Sequence, residues 1–146
     1  MVLKLFKAAW FFSLMGVAVS FMYVYASLPE NVILMESDSA VSISREALFY
    51  IVLTLLAVIN VIVFVFSKLY GGGDAHFLTW FYGQIMTLNF FLIIALSHTS
   101  LYNSSEKFDY SRIGGMIYGS VGLMIVWALG WPIYSVLRKI LNKQTV

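Results

Sequence analysis

Four long apolar runs, separated by short polar segments, set the pattern of this chain. The clearest is Ala47 to Ser67, twenty-one residues with no charge, whose only polar side chains are Tyr50, Thr54, Asn60 and Ser67. As a helix rising ~1.5 Å per residue it would be about 31 Å long, enough to cross the hydrocarbon core of a bilayer. The other runs are Ala8 to Ala26, Phe77 to Ser97 and Ile113 to Leu137. The pattern predicts an all-α protein: a four-helix transmembrane bundle, up-down-up-down, with spans over 8–26, 47–67, 77–97 and 113–137. Residues 27–46 and 98–112 form the loops on one side, and a single membrane domain fills 1–146.

The polar punctuation supports these boundaries. Lys4 and Lys7 precede the first run, whose nineteen residues exceed a typical ~7–15-residue signal core, so a retained span is expected. Pro29 ends that helix or lies just past it. Within the 30–44 segment, Val32 to Met35 and Val41 to Ile43 fit either a short hairpin around Ser37-Asp38-Ser39 or an irregular cap on the membrane surface. Ser44 suits an N-cap, with Glu46 in the first turn of the second span. Gly71-Gly72-Gly73 lacks the Lys-Ser/Thr of a phosphate loop and reads as a turn between antiparallel helices, with Asp74 capping the third span. Ser111 is expected to cap the fourth, and Trp131-Pro132 removes a backbone donor near its end and is expected to kink the last turns.

Composition agrees: 61% of residues are hydrophobic and 11% charged, with mean hydropathy +0.88, against ~25% charged in ordinary soluble domains. The absence of cysteine excludes disulfides, thiol catalysis and thiolate metal sites. A net charge of +2 is too small to point to nucleic acid, but its distribution is informative. Lys4, Lys7, Lys68, Arg138, Lys139 and Lys143 fall on the side of the termini, and Arg45, Lys107 and Arg112 on the other. By the positive-inside rule both termini are expected to be cytoplasmic.

Intramembrane charges mark proton and ion pathways, yet every Lys, Arg, Asp and Glu lies at or beyond a span end. His76 and His98 would be the candidate metal or haem ligands, but about 33 Å of helix separates them, so two interfacial histidines are expected and no cofactor. Asn60, Gln84 and Asn89 read as interhelical polar contacts, with pore-lining the sharper alternative for Gln84 and Asn89. Asn60 and Gln84 lie at one depth on either side of the glycine turn and are expected to bond across it. Two small-residue faces suit close helix packing: Ala9, Ser13, Gly16 and Ser20 on the first span, and the GxxxG of Gly115 and Gly119 on the fourth. Asn103-Ser104-Ser105 matches a glycosylation sequon, a three-residue pattern that arises readily by chance.

Tyr25-Ala-Ser-Leu-Pro29, Ser44-Arg45-Glu46, Trp80-Phe-Tyr-Gly83, Phe108-Asp-Tyr-Ser-Arg-Ile113 and Trp131-Pro132-Ile-Tyr134 together give a chain that resembles a family of small four-span inner-membrane proteins of Bacteroidota. Some of its members carry the label "DNA topoisomerase IV", which this chain has no segment to support. The resemblance implies a multi-pass protein of the bacterial inner membrane and supplies no catalytic residue. The expected function is a non-enzymatic small subunit of a larger inner-membrane complex, acting by helix packing and outer-loop contacts. The alternative is a transport or channel component whose pathway forms between protomers. Expected partners are other membrane subunits, the lipid bilayer and, as a possible homo-oligomer, further copies of the chain.

Overall fold

A computed structural model describes residues 1–35, 41–104 and 110–143. Four helices dominate it: α1 (Val2–Ser27), α2 (Arg45–Leu69), α3 (Ala75–Tyr102) and α4 (Tyr110–Lys143). All four contain stretches long and apolar enough to cross a membrane, so the protein is a multi-pass, all-α four-helix bundle. Between α1 and α2 lies a small antiparallel hairpin, β1 (Asn31–Met35) and β2 (Val41–Ser44), pairing Asn31 with Ser44 and Val32 with Ile43. The hairpin, not the irregular cap, is thus the form this segment takes; its turn lies outside the described residues.

Local chemistry sets the end of α1 and the starts of α2 and α3 where the sequence places them, whereas α1 begins earlier, at Val2, and α4 runs further, to Lys143. Leu28, immediately before Pro29, is extended at φ −77° and ψ 142°, and α1 stops one residue earlier. Ser44 Oγ accepts from the Ala47 amide at 3.1 Å, and Asp74 Oδ1 from the amides of His76 and Phe77, so both expected caps form. Two expectations are corrected. Ser111 lies inside α4, which begins at Tyr110, so it is not the N-cap. The 98–112 connection is also shorter than expected, because α3 runs on to Tyr102. The polar residues after Leu96 do not stop it: Ser97 and Thr99 turn their hydroxyls back onto the carbonyls of Ile93 and Ala95.

The glycine turn is tight. A Cβ at Gly71 would lie 2.5 Å from the Ser67 carbonyl oxygen, a separation only glycine tolerates without moving the backbone. α4 continues through Pro132 to Lys143.

α3 is the central element. α1 lies parallel to it, with Trp10 against Tyr82, Ser13 bonded to Asn89 and Ser27 bonded to Ser100 in ascending order. α4 runs antiparallel on another side, from Met124 beside Gln84 to Tyr134 beside His76. The start of α1 and the end of α4 therefore lie at one end of the bundle. α2 is held chiefly at its ends: Phe49 packs against Phe21 and Tyr25 of α1, while Phe66 stacks on Phe81 at 4.8 Å and Ser67 shares a 2.6 Å bond with Tyr82. Its buried residues Leu48, Val52, Ile59 and Val63 form a narrow seam; most of the remaining surface is exposed apolar side chain, as a lipid-facing helix requires.

Candidate functional site

The contact between α3 and α4 is built on two tryptophans. Trp80 Nε1 donates to the Trp127 carbonyl at 2.7 Å, and Trp127 Nε1 donates to the Trp80 carbonyl at 2.9 Å. Each indole thus satisfies its one donor on the opposite backbone, which matters where no water is available. The exchange needs the helices close together, and Gly83 provides the notch. A Cβ there would lie 2.5 Å from Cε2 and 2.7 Å from Nε1 of Trp127. Sequence reasoning missed this pair. Trp80 and Gly83 stand one helical turn apart, which marks a face, but nothing in the sequence identifies Trp127 as its counterpart.

A second polar contact joins α3 to α1. Asn89 is fully buried and donates from Nδ2 to Ser13 Oγ at 2.9 Å, while Ser13 donates to the Trp10 carbonyl at 2.7 Å. Three polar atoms of this interior lack a partner among the described residues: Asn89 Oδ1, Gln84 Oε1 and Trp10 Nε1. Gly16 also faces α3, where a Cβ would meet Ile93 Cδ1 at 3.5 Å. Ala9 and Ser20, from the same sequence stripe, are half-buried. The small-residue face of α1 is therefore used inside the bundle.

The expected bond between Asn60 and Gln84 does not form. Asn60 Nδ2 donates to the Leu56 carbonyl of its own helix at 2.7 Å, and Gln84 Nε2 turns to the Met124 carbonyl of α4 at 3.4 Å. A tight turn fixes the depth of two residues but not their rotation about the helix axes. Ile59 and Val63 take the inward seam of α2, and Asn60 sits about 100° round from Ile59. Gln84 and Asn89 do connect helices, but they point to different neighbours and do not line one path.

The glycine face of α4 behaves oppositely to that of α1. Beyond the local backbone of α4 itself, no described atom lies within 4 Å of a Cβ built at Gly115, Gly119, Gly122 or Gly130. At ~100° per residue these four glycines and Val126 fall within about 80° of one another. Trp127 and Trp131, which contact α3, and the buried Ser120 are centred roughly 120° away. Val126, on the glycine side, is 70% exposed, whereas Ser120 is 3% exposed. One side of α4 packs against α3, and the other, on which these glycines lie, is open among the described residues.

At the opposite end from the start of α1, Asn103 secures the hairpin. Its Oδ1 accepts from the Ile33 amide at 2.8 Å and its Nδ2 donates to the Ile33 carbonyl at 2.9 Å, so one side chain completes both ladder positions of a strand edge. With both amide groups engaged, Asn103 reads as a structural clamp and not as a modification site. Arg45 donates to the Leu28 carbonyl at 3.2 Å and lies 5.2 Å from the centre of the Tyr25 ring. His76 and His98 stay at opposite ends of α3, beside Tyr134 and Tyr102 respectively.

No family model, no curated protein and no solved structure matches this chain.

Proposed function

We propose that this protein is a non-enzymatic small subunit of a larger complex in the bacterial inner membrane, docking through the outer face of α4. The observation that carries this reading is the contrast between its glycine faces. Gly16 and Gly83 are used in contacts within the chain, whereas a Cβ at Gly115, Gly119 or Gly122 would meet no described atom beyond the backbone of α4 itself. A glycine groove lets a second helix bring its backbone close, where dispersion and weak hydrogen bonds replace the hydrophobic effect that lipid cannot supply. Lipid alone demands no such groove. The helix expected to fill it belongs to another membrane subunit, with the hairpin side and its acidic residues offering further contacts outside the bilayer.

The test is purification of tagged wild-type protein and the Gly119→Leu variant in mild detergent, followed by mass spectrometry. The variant should insert and fold, because position 119 has no internal neighbour among the described residues, yet lose the subunit that co-elutes with the wild type. Saturable flux of an ion or solute through the purified protein in liposomes would instead establish a transporter and overturn the proposal.

A further inference from the structure

Where α3 and α4 meet beside the start of α1, two adjoining grooves share Trp131 and Tyr134. The first, about 250 Å³, runs between Phe6, Trp80, Trp127 and Gly130. The second, about 290 Å³, continues to Ser135, Arg138 and Lys139. The wall changes character along this path, from aromatic rings to two cations. No described atom beyond the backbone of α4 lies within 4 Å of a Cβ built at Gly130, so the aromatic part is open at that point.

The level of each part in the membrane is set by the helices. Tyr134 lies beside His76, with ring centroids 6.2 Å apart, at the first turn of α3, which begins at Ala75. Arg138 is one helical turn further along α4, about 6 Å beyond, and so passes the end of α3. Tryptophan and tyrosine sit at the boundary between hydrocarbon and headgroups, which places the two cations at headgroup level. The opposing charge, Asp74, uses its Oδ1 to accept from the amides of His76 and Phe77. One acid then stands against two bases.

We propose that this double groove binds an anionic phospholipid, with an acyl chain along Trp80, Trp127 and Trp131 and the phosphate against Arg138 and Lys139. Basic pockets between membrane helices take such headgroups, and one basic side chain near an anionic surface contributes roughly a fivefold gain in association. The aromatic half distinguishes a lipid from a free anion, for which it would offer no partner. Gly130 borders the glycine face, but the rest of this site lies between α4 and α3 and does not depend on what covers Gly115, Gly119 and Gly122.

Three of the chain's four tryptophans wall the groove, so intrinsic emission reports its occupant. The protein is reconstituted in vesicles containing brominated phosphatidylglycerol or brominated phosphatidylcholine at equal mole fraction. Phosphatidylglycerol should quench more strongly, with Arg138→Gln and Lys139→Gln each lowering its relative association roughly fivefold and the double variant losing the preference. Gly130→Leu, which fills the aromatic half, should reduce quenching by phosphatidylglycerol at unchanged helix content. Equal quenching by the two lipids in the wild type, or a preference that survives in the double variant, would overturn the assignment. Loss of the preference on adding inorganic phosphate, but not on adding sodium chloride at the same ionic strength, would show the ligand to be a soluble anion and would overturn it equally.

Discussion

Gly83→Ala is the smallest change that should separate α3 from α4. The added Cβ would sit 2.5 Å from Trp127 Cε2 and 2.7 Å from its Nε1, where ordinary carbon contacts lie near ~3.5–4.0 Å. The indole has to retreat by about an ångström. It is not free to do so, because its Nε1 is tied to the Trp80 carbonyl at 2.9 Å and its own carbonyl holds Trp80 at 2.7 Å. Overpacking of this kind costs ~1–3 kcal/mol, and each interhelical hydrogen bond lost in a membrane adds roughly 0.6 kcal/mol. Alanine is the better helix former by ~1 kcal/mol, which offsets part of that. A net loss of about 1–3 kcal/mol is expected. It is measured by titrating the detergent-solubilised protein with dodecyl sulfate and following tryptophan emission, with Gly122→Ala as the control. Gly122 has no neighbour within 4 Å among the described residues, so its variant should unfold at or above the wild-type midpoint. If both variants unfold together with the wild type, the Trp80–Trp127 exchange does not hold the helices together.

Asn103→Ala should free the hairpin edge at a cost of about 1–2 kcal/mol, seen as faster amide exchange at Ile33 with the helices unaffected. A double-mutant cycle between Asn89→Ala and Ser13→Ala should give a coupling of roughly 0.6 kcal/mol and stay below ~1.7; a value near zero would mean that their bond contributes nothing to α1–α3 packing. If both termini are cytoplasmic, Ser42→Cys should react with an impermeant thiol reagent in intact cells and Gly72→Cys only after permeabilisation. The reverse pattern would invert the orientation.

What can be read from the sequence, and what cannot, divides along a physical line. Features that depend on neighbours along the chain are legible: four apolar lengths, the caps at Ser44 and Asp74, the stop before Pro29 and the glycine turn. Features that depend on rotation about a helix axis are not. Asn60 and Gln84 share a depth, yet they face different directions because the seam of α2 runs through Ile59 and Val63. Trp80 and Trp127 are forty-seven positions apart and meet only because two antiparallel helices are closely packed. Asn103 reads in sequence as part of a sequon, since its role as partner to Ile33 requires a folded hairpin seventy residues away. The small residues of α1 and α4 look alike in sequence; only packing shows that Gly16 faces α3 and Gly119 faces outward.

Because the α4 glycines face outward, two properties should move in opposite directions when they are replaced. A glycine in a helix interior is less favourable than alanine by ~1 kcal/mol, and α4 places Gly115, Gly119 and Gly122 along one face with no described neighbour to benefit. Within the chain these residues bring only that cost. If the face exists to receive another helix, replacing all three by alanine should leave the isolated protein as stable as the wild type or more so. The same variant should bind its partner less well, because three methyl groups hold the backbones apart and weaken the close contacts on which membrane helices rely. Thermal stability in detergent and recovery of the co-purifying subunit are then measured on one preparation. A triple variant that destabilises the isolated chain would mean the glycines serve the bundle itself. One that keeps its partner at wild-type yield would mean that the partner docks elsewhere.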